Sequence, residues 1–425
     1  MAGDIPKTTP ALVIKKIGQL SSGTLLAAII NVLSFIFITQ LYSPSEYGTY
    51  GIFLYFSGIF AASAPLSFQL IIPSVRDKGE LNQVVISSVA NVVLVSAAAF
   101  PLSFAYFLFL QKAGLQNVVF VLLNIWLFGL YTILNALLIN EGKNYLSGLM
   151  VALNAFLLLL LQASFSFLNM GWYGLVFGYL LALTLTNISI VLLGLQSLDF
   201  IQLLKKYSFT SHVQILKKYK NVWMFNVLQS LVNSISIWFL SFAIQLQGGK
   251  EAVGLFALCQ KVLIVPVRIM GASTKQIFLR ELSFMKGAQQ IKIITKFSVG
   301  LIGLSLVGVG LMYFIAPLIS WVLPKEWDAA SIFIFPLSIW LFMTIAYTPI
   351  ISLLNNLHLT KYHLGYEVLN LFNRALILGV FSVIGVYSAI RYIYVTSLMS
   401  AFCIVTFIII ALFVCKNEVR KNENS

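Results

Sequence analysis

Charge is what this sequence has least of. Of its 425 residues only 9% are Asp, Glu, Lys or Arg, against about 25% in ordinary water-soluble domains. With 60% of the residues apolar and a mean hydropathy of +0.94, no aqueous fold could bury so much apolar surface. Cysteine is equally sparse. Cys259, Cys403 and Cys415 stand apart, with no CxxC or Cys/His spacing, which excludes a disulfide framework or a zinc module. There is no GxxxxGK[ST] run, so no P-loop binds ATP. No pair of aspartates resembles a glycosyltransferase metal site, because Asp77, Asp199 and Asp328 are far apart. No cofactor is expected.

What is present is a succession of long apolar stretches. About 20 apolar residues at a rise of about 1.5 Å cross a bilayer as a helix. Twelve such spans are expected, at residues 18–42, 46–72, 83–110, 116–139, 145–168, 171–195, 221–246, 252–275, 297–323, 329–355, 363–387 and 390–415. The first is too long for a signal-peptide core and no small-residue cleavage site follows it, so it reads as a retained span. The single long connection, 196–220 (with KKYSFTSHVQILKKYK), divides six spans from six. It reads as a basic amphipathic surface helix, and nothing in the sequence gives its His212 a binding role. The expected fold is therefore an all-α membrane protein: twelve transmembrane helices in two six-helix lobes around a central cavity. The lobes would be residues 1–195 and 221–425, joined by the linker 196–220.

The cations set the orientation. Lys7, Lys15, Lys16, Arg76, Lys78, Lys143, Lys205, Lys206, Lys217, Lys218, Lys220, Lys275, Arg280, Lys286, Lys292, Lys296, Lys361, Lys416, Arg420 and Lys421 share the N-terminal side. They are 20 of the 27 Lys and Arg residues, and only Lys112, Lys250, Lys325 and Arg391 fall opposite. Cation-rich loops stay in the cytoplasm, so both termini are expected there. The net charge of +14 is accordingly read as contact with anionic membrane lipids and not with nucleic acid. The opposite loops are all short, with no room for an external domain.

The halves echo one another. Ser45–Phe56 (SEYGTYGIFLYF) opens span two and Lys250–Lys261 (KEAVGLFALCQK) opens span eight. Aligning Gly48 with Gly254 pairs Tyr50 with Phe256 and places Glu46 and Glu251 just upstream. Parallel repeats of this kind build transporters.

The informative residues are the charges within spans. A charge at mid-bilayer costs about 2.5–3.5 kcal/mol even on lenient scales, so such residues face protein or water. Lys261 and Arg268 are seven residues apart on one helical face, about 10 Å along the axis. Lys261 is too deep to snorkel and is expected to line a watery lumen; Arg268 could do the same or reach lipid headgroups. Glu367, Asn370 and Arg374 share a face of span eleven. Arg374 is expected to face a cavity, the plainer alternative being an ion pair with Glu367. Span seven carries Asn226, Gln229, Asn233 and Ser236 on one stripe, which reads equally as cavity lining or as interhelical glue. Gln69 and Asn31 are isolated. Three cations against one carboxylate suit an anion, phosphate above all, for which Arg offers a fork and Lys a point charge.

The run LYSPSEYGTYGIF (Leu41–Phe53) resembles the G-P-E-E-Y-G-x-Y signature of Wzx-type polysaccharide-repeat-unit flippases. These belong to the multidrug/oligosaccharidyl-lipid/polysaccharide exporter superfamily. Val253–Phe278, with Lys261 and Pro266, resembles that family's eighth span, and the six-plus-six layout extends the likeness over residues 10–415. The resemblance implies a non-enzymatic flippase of the bacterial inner membrane. Its substrate would be an undecaprenyl-pyrophosphate-linked O-antigen or capsule repeat unit, carried outward by alternating access. Lys261, Arg268 and Arg374 would contact the pyrophosphate, with Asn226, Asn233 and Asn370 as further substrate contacts and Glu367 as a coupling-ion site. A polysaccharide polymerase and a chain-length regulator would be partners. Two negative charges leaving an inside-negative cell would gain about 2.3 kcal/mol per charge per 100 mV. A multidrug exporter of the same superfamily is the nearest rival, but that branch calls for an acidic residue in span one, and residues 18–42 hold none. A membrane polymerase or ligase would need a large outer loop.

Overall fold

A computed structural model describes residues 10–195, 207–284, 288–357 and 359–424. Among these residues there is no strand. Backbone amides in hydrocarbon have no water to bond, and a helix satisfies them within one segment. We label the helices α1 (Pro10–Leu41), α2 (Pro44–Ala61), α3 (Lys78–Ala105), α4 (Gln116–Asn140), α5 (Asn144–Ser166) and α6 (Trp172–Gly194). A short α7 (Phe209–Lys218) follows, then α8 (Lys220–Phe284), α9 (Ala288–Ile319), α10 (Ala330–Ala346), α11 (Thr348–Asn356), α12 (Lys361–Val383) and α13 (Ala389–Asn424). Ten stretches are long and apolar enough to cross a membrane. One of them, Val222–Gly271, folds back at Gly249, whose φ of 73° breaks α8 into two limbs. With α2 added, the described residues give twelve spans, as expected from the sequence. Residues 1–9, 196–206 and 285–287 lie outside the described residues, and with them Lys7, Lys205, Lys206, Lys286 and the first part of the linker.

The chain forms two compact units. One holds the chain up to Ser34 with Phe60–Met224; the other holds Phe35–Ile59 with Phe225 onward. The expected lobes and the compact units thus differ at residues 35–59, which join the second unit, and at the linker with residues 221–224, which join the first.

In the first unit small residues let helices meet closely. A Cβ on Gly23 of α1 would strike the backbone of Gly148 on α5, and Ala27, Ala152 and Ala155 pack beside that contact. Span two differs from its expected course as one helix to residue 72. Helix α2 stops at Ala61, and the chain descends through short 3-10 turns with Leu66 and Ser67 in the left-handed region (φ 49° and 59°). Pro65 supplies the cause, since it lacks an N–H and disfavours helical geometry in the residue before it. Such backbone survives at membrane depth only when protein covers it. Here Ala64, Ser67, Phe68, Ile71 and Ile72 are buried, and the Asn140 amide donates to the carbonyls of Ile72 and Val75 at 2.8 Å each.

The linker helix α7 docks on this unit. Tyr219 just beyond it donates its hydroxyl to Glu80 at 2.6 Å, Lys218 pairs with the same oxygen, and the Tyr219 ring meets Phe68 edge-on. His212 is buried on its inner face, and neither ring nitrogen has a hydrogen-bond partner. Burial holds the imidazole below its usual range.

In the second unit the motif at the head of α2 has a physical reading. Ser43 caps the helix: its backbone N–H donates to the Glu46 carboxylate at 2.8 Å and its hydroxyl accepts from the Glu46 N–H at 3.3 Å. Pro44 occupies the first helical position, where a missing N–H costs nothing. Tyr47 packs edge-on against Trp327, whose indole N–H donates to the Tyr42 carbonyl at 3.1 Å. Gly48 makes the closest approach. A Cβ there would collide with the Lys250 carbonyl, and one on Gly254 would collide with the Pro44 carbonyl. Lys250 precedes Gly254 by four residues, as Pro44 precedes Gly48, so the two helices cross reciprocally. One turn on, Gly51 faces Ala257. The two glycines that the sequence aligns are partners in one small-residue crossing of the type that lets membrane helices touch.

Two predictions follow from these contacts. Gly48→Ala or Gly254→Ala must push two backbones apart, at about 1–3 kcal/mol. Gly58→Ala, where nothing lies within 4 Å, should leave the thermal midpoint of the detergent-solubilised protein unmoved while either crossing variant lowers it. For His212 the lowered value means that α7 is held by the neutral ring. Its docking is complete above about pH 6.5 and weakens as pH falls below that value. Amide exchange over residues 209–218, corrected for its intrinsic rate, should be faster at pH 5.5 than at 7.5, and His212→Leu should remove the difference.

Candidate functional site

Helix α12 is polar on the side that a lipid-facing helix would keep apolar. His363, Tyr366, Glu367, Asn370 and Arg374 are all buried, while Val368, Leu369, Phe372 and Leu376 are exposed. Their spacing of three and four residues puts the polar groups on one stripe. Hydrocarbon leaves that stripe no alternative but to turn into the protein.

The first limb of α8 receives it, residue by residue. The Gln229 amide nitrogen lies 2.7 Å from His363 Nδ1. The Asn233 amide donates to Glu367 Oε2 at 3.1 Å. Arg374 donates from Nη1 to the carbonyl of Ser236 at 2.7 Å and to its hydroxyl at 2.9 Å. The polar stripes of spans seven and eleven are therefore two sides of one ladder. Other helices close it. The Arg374 guanidinium lies 4.5 Å from the Trp340 ring centre on α10, Tyr392 donates to the Arg374 carbonyl at 3.0 Å, and Ser400 donates to Asn370 Oδ1 at 2.8 Å, both from α13. His363 Nε2 and Glu367 Oε1 are 3.5 Å apart, and the rings of Tyr347, Tyr366 and Phe407 surround the imidazole.

The sequence-derived candidates thus separate into two groups. Asn233, Glu367, Asn370 and Arg374 belong to the ladder. Arg374, expected to face a cavity, is only 1% exposed and is held by Ser236 and Trp340. Nor does it form the alternative ion pair with Glu367: among the described residues no such pair lies within 4 Å. Lys261 and Arg268 lie on the second limb of α8, half-buried and exposed respectively. Next to Lys261, Gln260 accepts the Tyr55 hydroxyl at 2.6 Å. Asn226 is half-buried, one turn before Gln229. Sequence reasoning missed His363, although it stands one turn before Glu367 on the same stripe; Trp340, Tyr392 and Ser400 carried no signal. Among the described residues no cluster of His, Cys, Asp or Glu could hold a metal, and the three cysteines are buried and unpaired in disulfides.

The sequence matches no family model and no curated protein. Solved structures do match along nearly the whole chain. An inward-facing multidrug-resistance MATE transporter of the MOP superfamily aligns at TM-score 0.69 and 17% identity, over 96% of this chain and 99% of that one. The lipid II flippase MurJ in an inward closed conformation aligns at TM-score 0.69 and 15% identity, over 94% and 90%. A MOP transporter from Pyrococcus furiosus, described as having a binding pocket of reversed polarity, aligns at 0.56 and 15% over 96% of each. The fold is that of the MOP-superfamily transporters.

The ladder sets a testable coupling. If Arg374 braces spans seven, ten and eleven, Arg374→Met and Trp340→Leu should each lower the thermal midpoint, and the double variant should lose less than the sum. A coupling of about 0.5–2 kcal/mol is expected for a desolvated cation on an indole. Arg374→Lys should not restore it, since an ammonium cannot stack on the ring and bridge both Ser236 oxygens.

Proposed function

We propose that this protein is a flippase for lipid-linked oligosaccharides, carrying undecaprenyl-pyrophosphate-linked repeat units from the cytoplasmic to the outer leaflet by alternating access. It would sit in the bacterial inner membrane with both termini in the cytoplasm, its basic loops against anionic lipid. The MOP fold serves both drug exporters and a lipid II flippase, so fold alone does not decide between them. The sign of the charge inside the spans carries the choice. The one carboxylate there, Glu367, already receives Asn233 and adjoins His363, which leaves little to attract an organic cation. Lys261 and Arg268 add two cations on one face of α8, outside the ladder.

On this reading Lys261 and Arg268 meet the diphosphate, Lys261 as a point charge and Arg268 as a bidentate fork. Asn226 adds a neutral donor on the neighbouring limb. Arg374, Asn233 and Asn370 act indirectly, by holding the helices that carry the cations. Export of two negative charges is favoured by the membrane potential, by about 2.3 kcal/mol per charge per 100 mV, so no nucleotide site is required.

The test is export in a cell that depends on this gene. Lys261→Ala with Arg268→Ala should abolish surface glycan while the protein still accumulates in the membrane. Normal glycan in that strain, or glycan-independent extrusion of organic cations by the native protein, would overturn the proposal. A cysteine at 261, with Cys259, Cys403 and Cys415 replaced, should react with membrane-impermeant thiol reagents.

A further inference from the structure

The His363–Glu367 pair has the geometry of a proton site and not merely of an internal bond. The Gln229 amide nitrogen can only donate, so His363 Nδ1, 2.7 Å away, must present its lone pair. The proton of the neutral ring then sits on Nε2, 3.5 Å from Glu367 Oε1 and equally far from the Gln229 nitrogen. The other carboxylate oxygen accepts from Asn233 at 3.1 Å. Asn233 and Gln229 each aim a donor at an acceptor of the pair, while Nε2 and Oε1 stand 3.5 Å apart, close enough for one proton to bring them together. Glu367 then balances Arg374, the other charged group of the ladder.

An additional proton disturbs this order wherever it lands. On Nδ1 it meets the Gln229 N–H as a second donor, and the amide must turn over so that its oxygen accepts. On Oε1 it meets the Nε2–H, and the histidine–glutamate contact is lost. Among the described residues the ring neighbours offer no alternative base: Tyr347 and Tyr366 present rings to the imidazole, and Phe407 is apolar. Supply is short. His363 is the third residue of α12, beside the exposed Lys361, and Glu367 lies one turn further in.

We propose that His363 and Glu367 together bind one exchangeable proton from the water at the head of α12, and that its arrival resets the Gln229 and Asn233 rungs joining spans seven and eleven. The proposal deepens the transport reading by assigning its coupling ion, yet its first test needs no substrate. The protein, labelled with 15N-histidine in lipid nanodiscs, is titrated between pH 4.5 and 9, and the His363 signal is assigned by its loss in His363→Gln. The signal should titrate. Glu367→Gln should weaken proton affinity at His363 at least tenfold, and Gln229→Glu should strengthen it by a similar factor. A His363 signal that does not move with pH, or a midpoint indifferent to both substitutions, would overturn the site.

A second measurement tests the reset. On the background lacking native cysteines, the thiol-labelling rate of Lys261→Cys is compared at pH 5.5 and 8.0. At least a threefold difference is expected, abolished by Glu367→Gln. A rate independent of pH while His363 titrates would overturn the reset. Failure of glycan export to depend on this protein would fall on the flippase reading alone and leave both titrations intact.

Discussion

Hydrocarbon offers no partner to a polar atom, and that single constraint orders the structure. It compels the backbone into helices, buries the irregular turns after Ala61 under α3 and α4 side chains, and rotates α12 so that five polar residues face inward. The ladder between α8 and α12 is the outcome. Once one stripe of amides and another of ionisable groups are both excluded from lipid, each is the other's available solvent. Each rung then fixes the next, because the helices can slide neither along nor around each other without orphaning several groups at once.

Much of this was legible in the chain. Length and hydropathy located the twelve spans, and the stripes Asn226–Ser236 and Glu367–Arg374 were readable as faces from spacing alone. What spacing could not show was that these faces meet. Arg374 looked like a cavity cation because a lone charge at that depth ordinarily seeks water. Its partners are a serine carbonyl and hydroxyl and the face of Trp340, none of which carries a sequence signal for cation binding. The break after Ala61 was not read, because the apolar composition that continues to Ile72 masked the Ser-Ala-Pro-Leu-Ser run. The pairing of Gly48 with Gly254 came from weak internal similarity, and the structure gives it a mechanical meaning as a reciprocal contact between backbones.

The two kinds of helix contact differ in what they demand. The glycine crossing is held by shape. It asks for the absence of side chains and tolerates no addition, but it imposes no charge and no fixed orientation on its neighbours. The ladder is held by directional donors and acceptors, and its histidine and glutamate can each exist in two protonation states. Within the second unit, α8 carries both contacts, the ladder on its first limb and the crossing on its second, separated by the bend at Gly249. A change of hydrogen bonding on one limb therefore has a short covalent path to the limb bearing Lys261 and Arg268.

The inward polar stripe of α12 also bears on how the protein is made. At a mean hydropathy of 1.2, α12 is the least apolar of the ten membrane-crossing stretches, against 2.9 for the following one, so on its own it would leave the translocon reluctantly. Residues 229–236 are synthesised well over a hundred residues earlier, so the waiting rungs are already in the bilayer when α12 emerges. Chain order thereby supplies a template for a helix whose entry into lipid depends on company.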